Sequence, residues 1–287
     1  MTGRSVGYAG EPGAFAEDAV LRWFEAPAAQ PMPSFRAVFE AVQGGAVDAG
    51  VVPVESSQLG TIRETLDLLY EFDLAIAGEV TVPVRLALLA LPGERLETIR
   101  TVHSIAAALA QADEFLRAGA WTIQTTWNTA GAARRIADAG ERGAAAVASA
   151  RVASLYGLEV IADGIQTGDD NRTRFAVLAR QGTESATLLR ATATEVSGSP
   201  KSTIVFGVRN VPGSLGRSLE AFASRGINLS RLESRPWAGR GTRWEYLFWV
   251  DLDADATVGA AAEAMADLGR EAEMVRILGT YPRAAED

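Results

Sequence analysis

Gly164-Ile165-Gln166-Thr167-Gly168-Asp169-Asp170-Asn171-Arg172-Thr173-Arg174-Phe175-Ala176-Val177-Leu178-Ala179 is a turn-rich loop that runs into an apolar strand. A strand that opens with a hydroxyl and a guanidinium presents both at the edge of a sheet. In open α/β sheets, ligands sit at such edges. Thr173 has one proton to donate and two lone pairs to accept with. Arg174 is a fixed cation shaped for a carboxylate. Neither group needs a cofactor. The same residues also read as an Asx turn, in which Asn171 holds the backbone and Thr173 starts a strand. The rest of the chain decides between the two.

Upstream, strand and helix patterns alternate. Val6-Gly7-Tyr8 is a strand, Gly10 to Gly13 a glycine-rich turn, and Phe15 to Phe24 a helix. The turn is neither Gly-x-Gly-x-x-Gly nor a P-loop, which removes a nucleotide site. A helix start after such a turn can hold an anion, or it can be a tight connection only. Phe35, Val38, Phe39 and Val42 fall at helical spacing behind Ser34 as N-cap and read as core. Asp48 to Val54 is a buried strand that ends in Glu55-Ser56-Ser57. One carboxylate and two hydroxyls thus follow a strand's C-terminal end, as ligand groups or as caps of the helix from Thr61 to Tyr70. Val80 to Leu91 is a pair of strands and Arg100 to His103 another. Ser104 caps a long Ala-rich helix reaching Leu116, and His103 reads as a packed side chain. Trp121–Thr126, Ala144–Ala148 and Val160–Ala162 are strands, with helices opening at Asn128-Thr129 and Ala150. The alternation over 5–180 predicts an α/β fold with a mainly parallel sheet.

Residues 183–200 break the periodicity and read as a linker. A second pattern follows. Thr203–Val208, Ile227–Leu232, Trp244–Asp251 and Met274–Leu278 are strands, with helices from Pro212-Gly213 and from Thr257. That order, βαββαβ, is ferredoxin-like.

A length of 287 residues suits about two domains at about 150 each. The composition, 48% hydrophobic and 22% charged, is that of a soluble globular chain. The 27 basic and 36 acidic residues leave a net charge of -9, which argues against a nucleic-acid partner. The absence of cysteine excludes disulfides, thiol nucleophiles and Cys-ligated metals. The single histidine and the lack of Gly-x-Ser-x-Gly argue against a Ser-His-Asp hydrolase. No signal-peptide pattern opens the chain, and no apolar run reaches the ~18 residues of a membrane span. The expectation is a cytoplasmic enzyme without cofactor or metal.

Six ordered motifs now carry a family name. They are Gly10 to Phe15, Val52 to Gly60, Tyr156-Gly157-Leu158, Asn171 to Phe175, Gly213-Ser214-Leu215 and Glu233-Ser234-Arg235-Pro236. The chain resembles bacterial prephenate dehydratases with a C-terminal ACT regulatory domain, over nearly its whole length. It departs from the family at two places. Ser56 stands where the family has Asn, and Ser104-Ile105-Ala106-Ala107-Ala108 stands for Ser-His-Pro-Gln-Ala.

The resemblance implies a two-lobed catalytic domain at 1–182, like a periplasmic binding protein, with lobe 1 at about 1–78 and 170–182 and lobe 2 at about 79–169. It implies an ACT domain at 201–284. Thr173, Arg174 and Glu55 would be catalytic, Thr173 donating to the departing hydroxide and Glu55 orienting Ser57. Ser56, Ser57, Ser104, Asn128, Thr129, Asn171 and Phe175 would bind prephenate. Gly213, Ser214, Leu215, Glu233, Ser234, Arg235 and Pro236 would bind the effector L-phenylalanine, in a homodimer or homotetramer. Arogenate dehydration, a non-aromatising prephenate decarboxylase and a non-catalytic small-molecule sensor are the alternatives.

Overall fold

The computed structural model describes residues 4–168, 170–182, 196–237 and 245–285. The chain divides into two compact units, Met1–Ile62 with Thr81–Phe175, and Arg63–Val80 with Ala176–Asp287.

In the first unit, β1 (Ser5–Ala9) pairs in parallel with β2 (Ala28–Met32) and β3 (Ala49–Ser56). Helices α1 (Phe15–Trp23) and α2 (Phe35–Gln43) pack on them through Ala19, Val20, Trp23, Val38, Phe39 and Val42. Ser34 caps α2 as its sequence predicts, accepting from Ala37 N at 3.1 Å. The short β4 (Gly60–Thr61) turns back on β3. The full strand order is β2-β1-β3-β11-β5, and β5 (Leu74–Pro83) and β11 (Arg172–Arg180) run on past the unit boundary.

A second sheet of this unit has the order β10-β6-β9-β7-β8. Its strands are β6 (Ala87–Ala90), β7 (Thr101–Ser104), β8 (Thr122–Thr125), β9 (Ala144–Ala148) and β10 (Glu159–Asp163). Pairing is parallel around β7 and antiparallel around β6, so the sheet is mixed rather than mainly parallel. Its core joins Leu86, Leu88, Val102, Leu109, Ala145 and Val147. Helices α6 (Thr129–Ala139) and α7 (Arg151–Tyr156) follow β8 and β9.

The long Ala-rich helix is in fact two short ones, α4 (Ala106–Gln111) and α5 (Asp113–Arg117). The Gln111 carbonyl accepts from Thr167 N at 2.7 Å instead of continuing the helical ladder. Ser104 does not cap α4. It is the last residue of β7, and its Oγ donates to Val147 O at 2.6 Å.

The second unit holds a four-stranded antiparallel sheet of order β13-β14-β12-β15. Its elements are β12 (Val196–Gly207), α8 (Ser214–Ala223), β13 (Leu229–Pro236), β14 (Tyr246–Leu252), α9 (Gly259–Glu271) and β15 (Met274–Ala284). This is the expected βαββαβ module, cored by Ile204, Phe206, Phe222, Val250 and Leu268. Strand β12 begins at Val196, inside the expected linker, and its register on β15 shifts between Val196 and Pro200, where proline lacks a ladder N–H. The expected start of β14 at Trp244 lies outside the described residues, as does the linker over 183–195.

Helix α3 (Arg63–Glu71) and β5 pack against this module within the second unit. A Cβ on Gly279 would lie 2.0 Å from the Ile76 carbonyl, so only glycine fits. Arg276 donates to the carbonyls of Tyr70 and Phe72 at 3.1 and 2.6 Å. Lys201 lies 2.9 Å from Glu79 and 3.3 Å from Asp251, and all three are buried. Among the described residues no helix is long and apolar enough to cross a membrane.

Candidate active site

Strand periodicity decides what Thr173 and its neighbours face. Successive side chains of a strand point to opposite sides. Thr173 and Phe175 line a cavity of about 260 Å³ in the first unit, while Arg174 between them points away. Arg174 donates to Glu55 Oε2 at 2.6 Å. On β3, Ser56 lines the cavity and Glu55 does not. Neither Arg174 nor Glu55 is among the described residues that line the cavity. Their pairing braces β3 against β11 behind the site.

Ser57 is a brace as well. Its Oγ donates to Asp170 O and accepts from Arg172 N, both at 2.9 Å, and its own N donates to Arg172 O. It therefore binds the loop before Thr173, does not cap α3, and is not oriented by Glu55. Ser104 is fully buried and engaged with Val147, away from the cavity. Asn171 is 3% exposed and is not among the described residues that line the cavity; its carbonyl accepts from Val84 N, while both polar atoms of its amide are buried without a partner among the described residues.

The other expected binders do line the cavity. Asn128 caps α6 by accepting from Gly131 N at 2.7 Å, and Thr129 follows it. Phe35, expected in the core, also forms part of the wall. Ile105 and Ala107 stand in the wall where the family has His and Gln.

Among the lining residues that the sequence reading did not name as binders are Gln111, Leu59 and Trp127. Gln111 is buried, and its Nε2 donates to Ser56 Oγ at 3.4 Å. Its signal was present, as a lone amide among Ala106 to Ala112. The Ser56 oxygen also receives Gln58 N and Leu59 N at 3.4 and 3.3 Å.

No charged side chain is among the described residues of the wall. An anion held there meets hydroxyls, amides and backbone N–H groups only. Among the described residues no three His, Asp or Glu side chains converge as metal ligands would.

The glycine-rich turn packs rather than binds. Of the two readings left open for the α1 start, the tight connection fits, since Gly13 N donates to the helix's own Glu17 Oε2 at 2.8 Å. Glu17 also accepts from Tyr8 and from Arg151 of α7. Burial, and then Glu17, push the Tyr8 phenol above its ordinary range, so it stays a donor. Cβ atoms on Gly10 and Gly13 would meet Asn128 Nδ2 at 2.4 Å and Val152 Cγ2 at 2.7 Å. His103 is buried behind β7; burial and then Arg135 lower its pKa, with Glu141 opposing, so it is neutral and remote from the cavity.

In the second unit a crevice of about 230 Å³ opens at the start of α8, lined by Gly213, Ser214, Leu215 and Tyr246 among others. Gly213 has φ +81°, and the Ser214 Oγ donates to Arg209 O at 2.6 Å. Glu233, Ser234, Arg235 and Pro236 lie on β13 and are not among the described residues that line this crevice. Arg235 pairs with Asp67 of α3.

Residues 6–183 match the family described as prephenate dehydratase, and residues 202–270 match the ACT domain. The arogenate dehydratase/prephenate dehydratase 2 of Arabidopsis thaliana, a chloroplastic protein, is 38% identical over 284 residues, covering 96% of this chain and 72% of the relative. The prephenate dehydratase of Arthrobacter aurescens, solved in complex with L-Phe, superposes with a TM-score of 0.83 at 31% identity, covering 97% of this chain and 90% of that one. A structure described as GqqA, a novel type of quorum-quenching acylase, gives a TM-score of 0.83 at 30% identity over 98% of both chains. With its family match extending over more than half of its length, the chain belongs to the prephenate dehydratase family and carries a C-terminal ACT domain.

Proposed function

We propose that the cavity between Ser56, Asn128 and Thr173 is where prephenate loses CO2 and hydroxide to become phenylpyruvate. The observation that carries this is the Thr173 hydroxyl, set in a wall whose described residues include no charged side chain. Decarboxylation supplies the electron pair that completes the aromatic ring and expels the ring hydroxyl as hydroxide. The driving force lies in the substrate, so the protein has to hold two carboxylates and stabilise one leaving oxygen. Thr173 Oγ1 donates to that oxygen. A preorganised donor in a site of low dielectric is worth far more than one in water. Ser56, Gln111, Asn128 and Thr129 supply neutral donors to the carboxylates, and Phe175 packs beside them. Asn171, Ser57, Glu55 and Arg174 hold the strand that presents Thr173.

The catalytic part is 1–182 and the regulatory part 201–284 in this reading. L-phenylalanine inhibits from the crevice at Gly213, Ser214 and Leu215, as the ligand of the Arthrobacter relative supports. A homodimer or homotetramer in the cytoplasm completes the proposal. An acyl-amide hydrolase is disfavoured because the described wall offers hydroxyls but no histidine, carboxylate or lysine as base.

The test is product analysis on purified protein. Phenylpyruvate from prephenate supports the reading, and faster turnover of arogenate would reassign the substrate. A non-aromatic product that keeps the ring hydroxyl would make the enzyme a decarboxylase. Tight binding without turnover would make it a sensor.

A further inference from the structure

Two large apolar side chains stand exposed on the cavity wall. Trp127 is 63% exposed and Leu59 50% exposed, and both line it. They come from loops of different sheets, Leu59 from the turn between β3 and β4, and Trp127 from the connection of β8 to α6. A single exposed Trp or Leu is ordinary surface. Two on one cavity, continuous with the apolar side chains of Phe15, Phe35, Ile105 and Phe175, form a patch that a ligand would cover.

Both loops are held. Leu59 N donates to Ser56 Oγ at 3.3 Å. Thr126 N donates to Ser104 O at 2.7 Å, Thr126 Oγ1 donates to Asn128 O at 3.2 Å, and Asn128 is fixed as the α6 cap. Gly10 closes on Asn128 from behind, with no room for a Cβ. The indole is thus presented to the cavity from a fixed backbone, with only its own two torsions to set.

We infer that Trp127 is a substrate-binding and specificity residue, whose indole covers the six-membered ring of the bound dianion while Leu59 meets it from the facing loop. The inference rests on the dehydratase reading above. It divides recognition between two kinds of surface. The carboxylates go to the hydroxyls and amides of the inner wall. The flat diene ring, which has no charge to offer, goes to the indole face. A contact of that kind is made alike in the bound substrate and in the transition state, so it acts on KM rather than on kcat.

The experiment uses the full-length chain. Trp127→Ala raises KM for prephenate about tenfold and changes kcat by less than about threefold. Trp127→Phe, which keeps a flat apolar ring, recovers most of that loss. Saturating phenylpyruvate shifts the tryptophan emission of the parent to the blue, and the shift is missing in Trp127→Phe although the other tryptophans remain. Circular dichroism shows the variants folded. A KM within about twofold of the parent in Trp127→Ala, or an unchanged emission shift in Trp127→Phe, overturns the inference while leaving the activity intact. A parent chain that makes no phenylpyruvate overturns the dehydratase reading and this inference together.

Discussion

At the residue scale, a hydroxyl works as a proton or hydrogen-bond donor only if no stronger group competes for the leaving oxygen. The described residues of the wall around Thr173 include none. Thr173→Ala should therefore lower kcat by about a hundredfold or more, since general-acid assistance is worth roughly 10²–10⁴, with the unfolding midpoint little changed. Turnover within about threefold of the parent would take Thr173 out of the mechanism. Arg174 and Glu55 call for a different experiment, because they meet each other and not the cavity. Arg174→Ala and Glu55→Ala should each slow the enzyme, and the double variant should be no worse than the more damaging single one. Arg174→Lys should not restore the loss, because an ammonium does not reproduce the guanidinium fork. Strictly additive effects would show that the two residues act separately. Thr173, Ser56 and Phe175 were readable because short motifs name them, and Asn128 because it opens a helix. The outward turn of Arg174 was not, because it depends on which face of β11 meets the cavity. Trp127 and Leu59 were missed because an apolar side chain in a loop carries no chemical label.

At the element scale, the glycine-rich turn was legible as a turn but not as a contact. Its glycines are needed because α6 and α7 lie against them. Gly10 has φ +123°, where a side chain is strained, and a Cβ there would press into the Asn128 amide. Gly10→Ala should cost about 1–3 kcal/mol of stability, read as a lower denaturant midpoint, and should raise KM by displacing Asn128. Unchanged stability and KM would mean that the turn shifts freely and that the close approach is not required. The Ala-rich segment shows the opposite limit of a sequence reading. Its periodicity predicts one helix, and a single tertiary hydrogen bond from Thr167 to the Gln111 carbonyl splits it in two. Local propensity has no access to a donor more than fifty residues away. The βαββαβ order survived because it rests on whole elements, whose patterns are long, and not on any one residue.

At the scale of the whole molecule, the second unit is tied together by buried charge. Lys201 reaches Glu79 on β5 and Asp251 on β14, and Thr203 also donates to Asp251 at 2.8 Å. Lys201→Met keeps the volume but removes the cation from between two buried carboxylates, which should cost about 3–5 kcal/mol. A loss below about 1 kcal/mol would mean that water or a proton neutralises the site. The same ties decide how regulation should be tested. Deleting the ACT domain would strip Glu79 of Lys201, Asp67 of Arg235 and the Tyr70 and Phe72 carbonyls of Arg276, so lost inhibition would be confounded with lost stability. A point change at the crevice is cleaner. Gly213 sits at φ +81°, and a Cβ there would lie 2.9 Å from Arg217 Nη1, the movable end of a long side chain. Gly213→Val strains the start of α8 and fills the approach to its first N–H groups, which suit the carboxylate of an amino acid. Effector binding must favour a less active state by a coupling of roughly 1–3 kcal/mol, equivalent to a 5–150-fold change in affinity. Gly213→Val should therefore keep the parent's kcat and KM in the absence of L-phenylalanine, while inhibition by L-phenylalanine disappears. Calorimetry on the same protein should show that binding is lost as well. Inhibition that persists at the parent's concentration dependence, in a folded variant, would place phenylalanine in the catalytic cavity and remove the crevice at Gly213 from control of the enzyme.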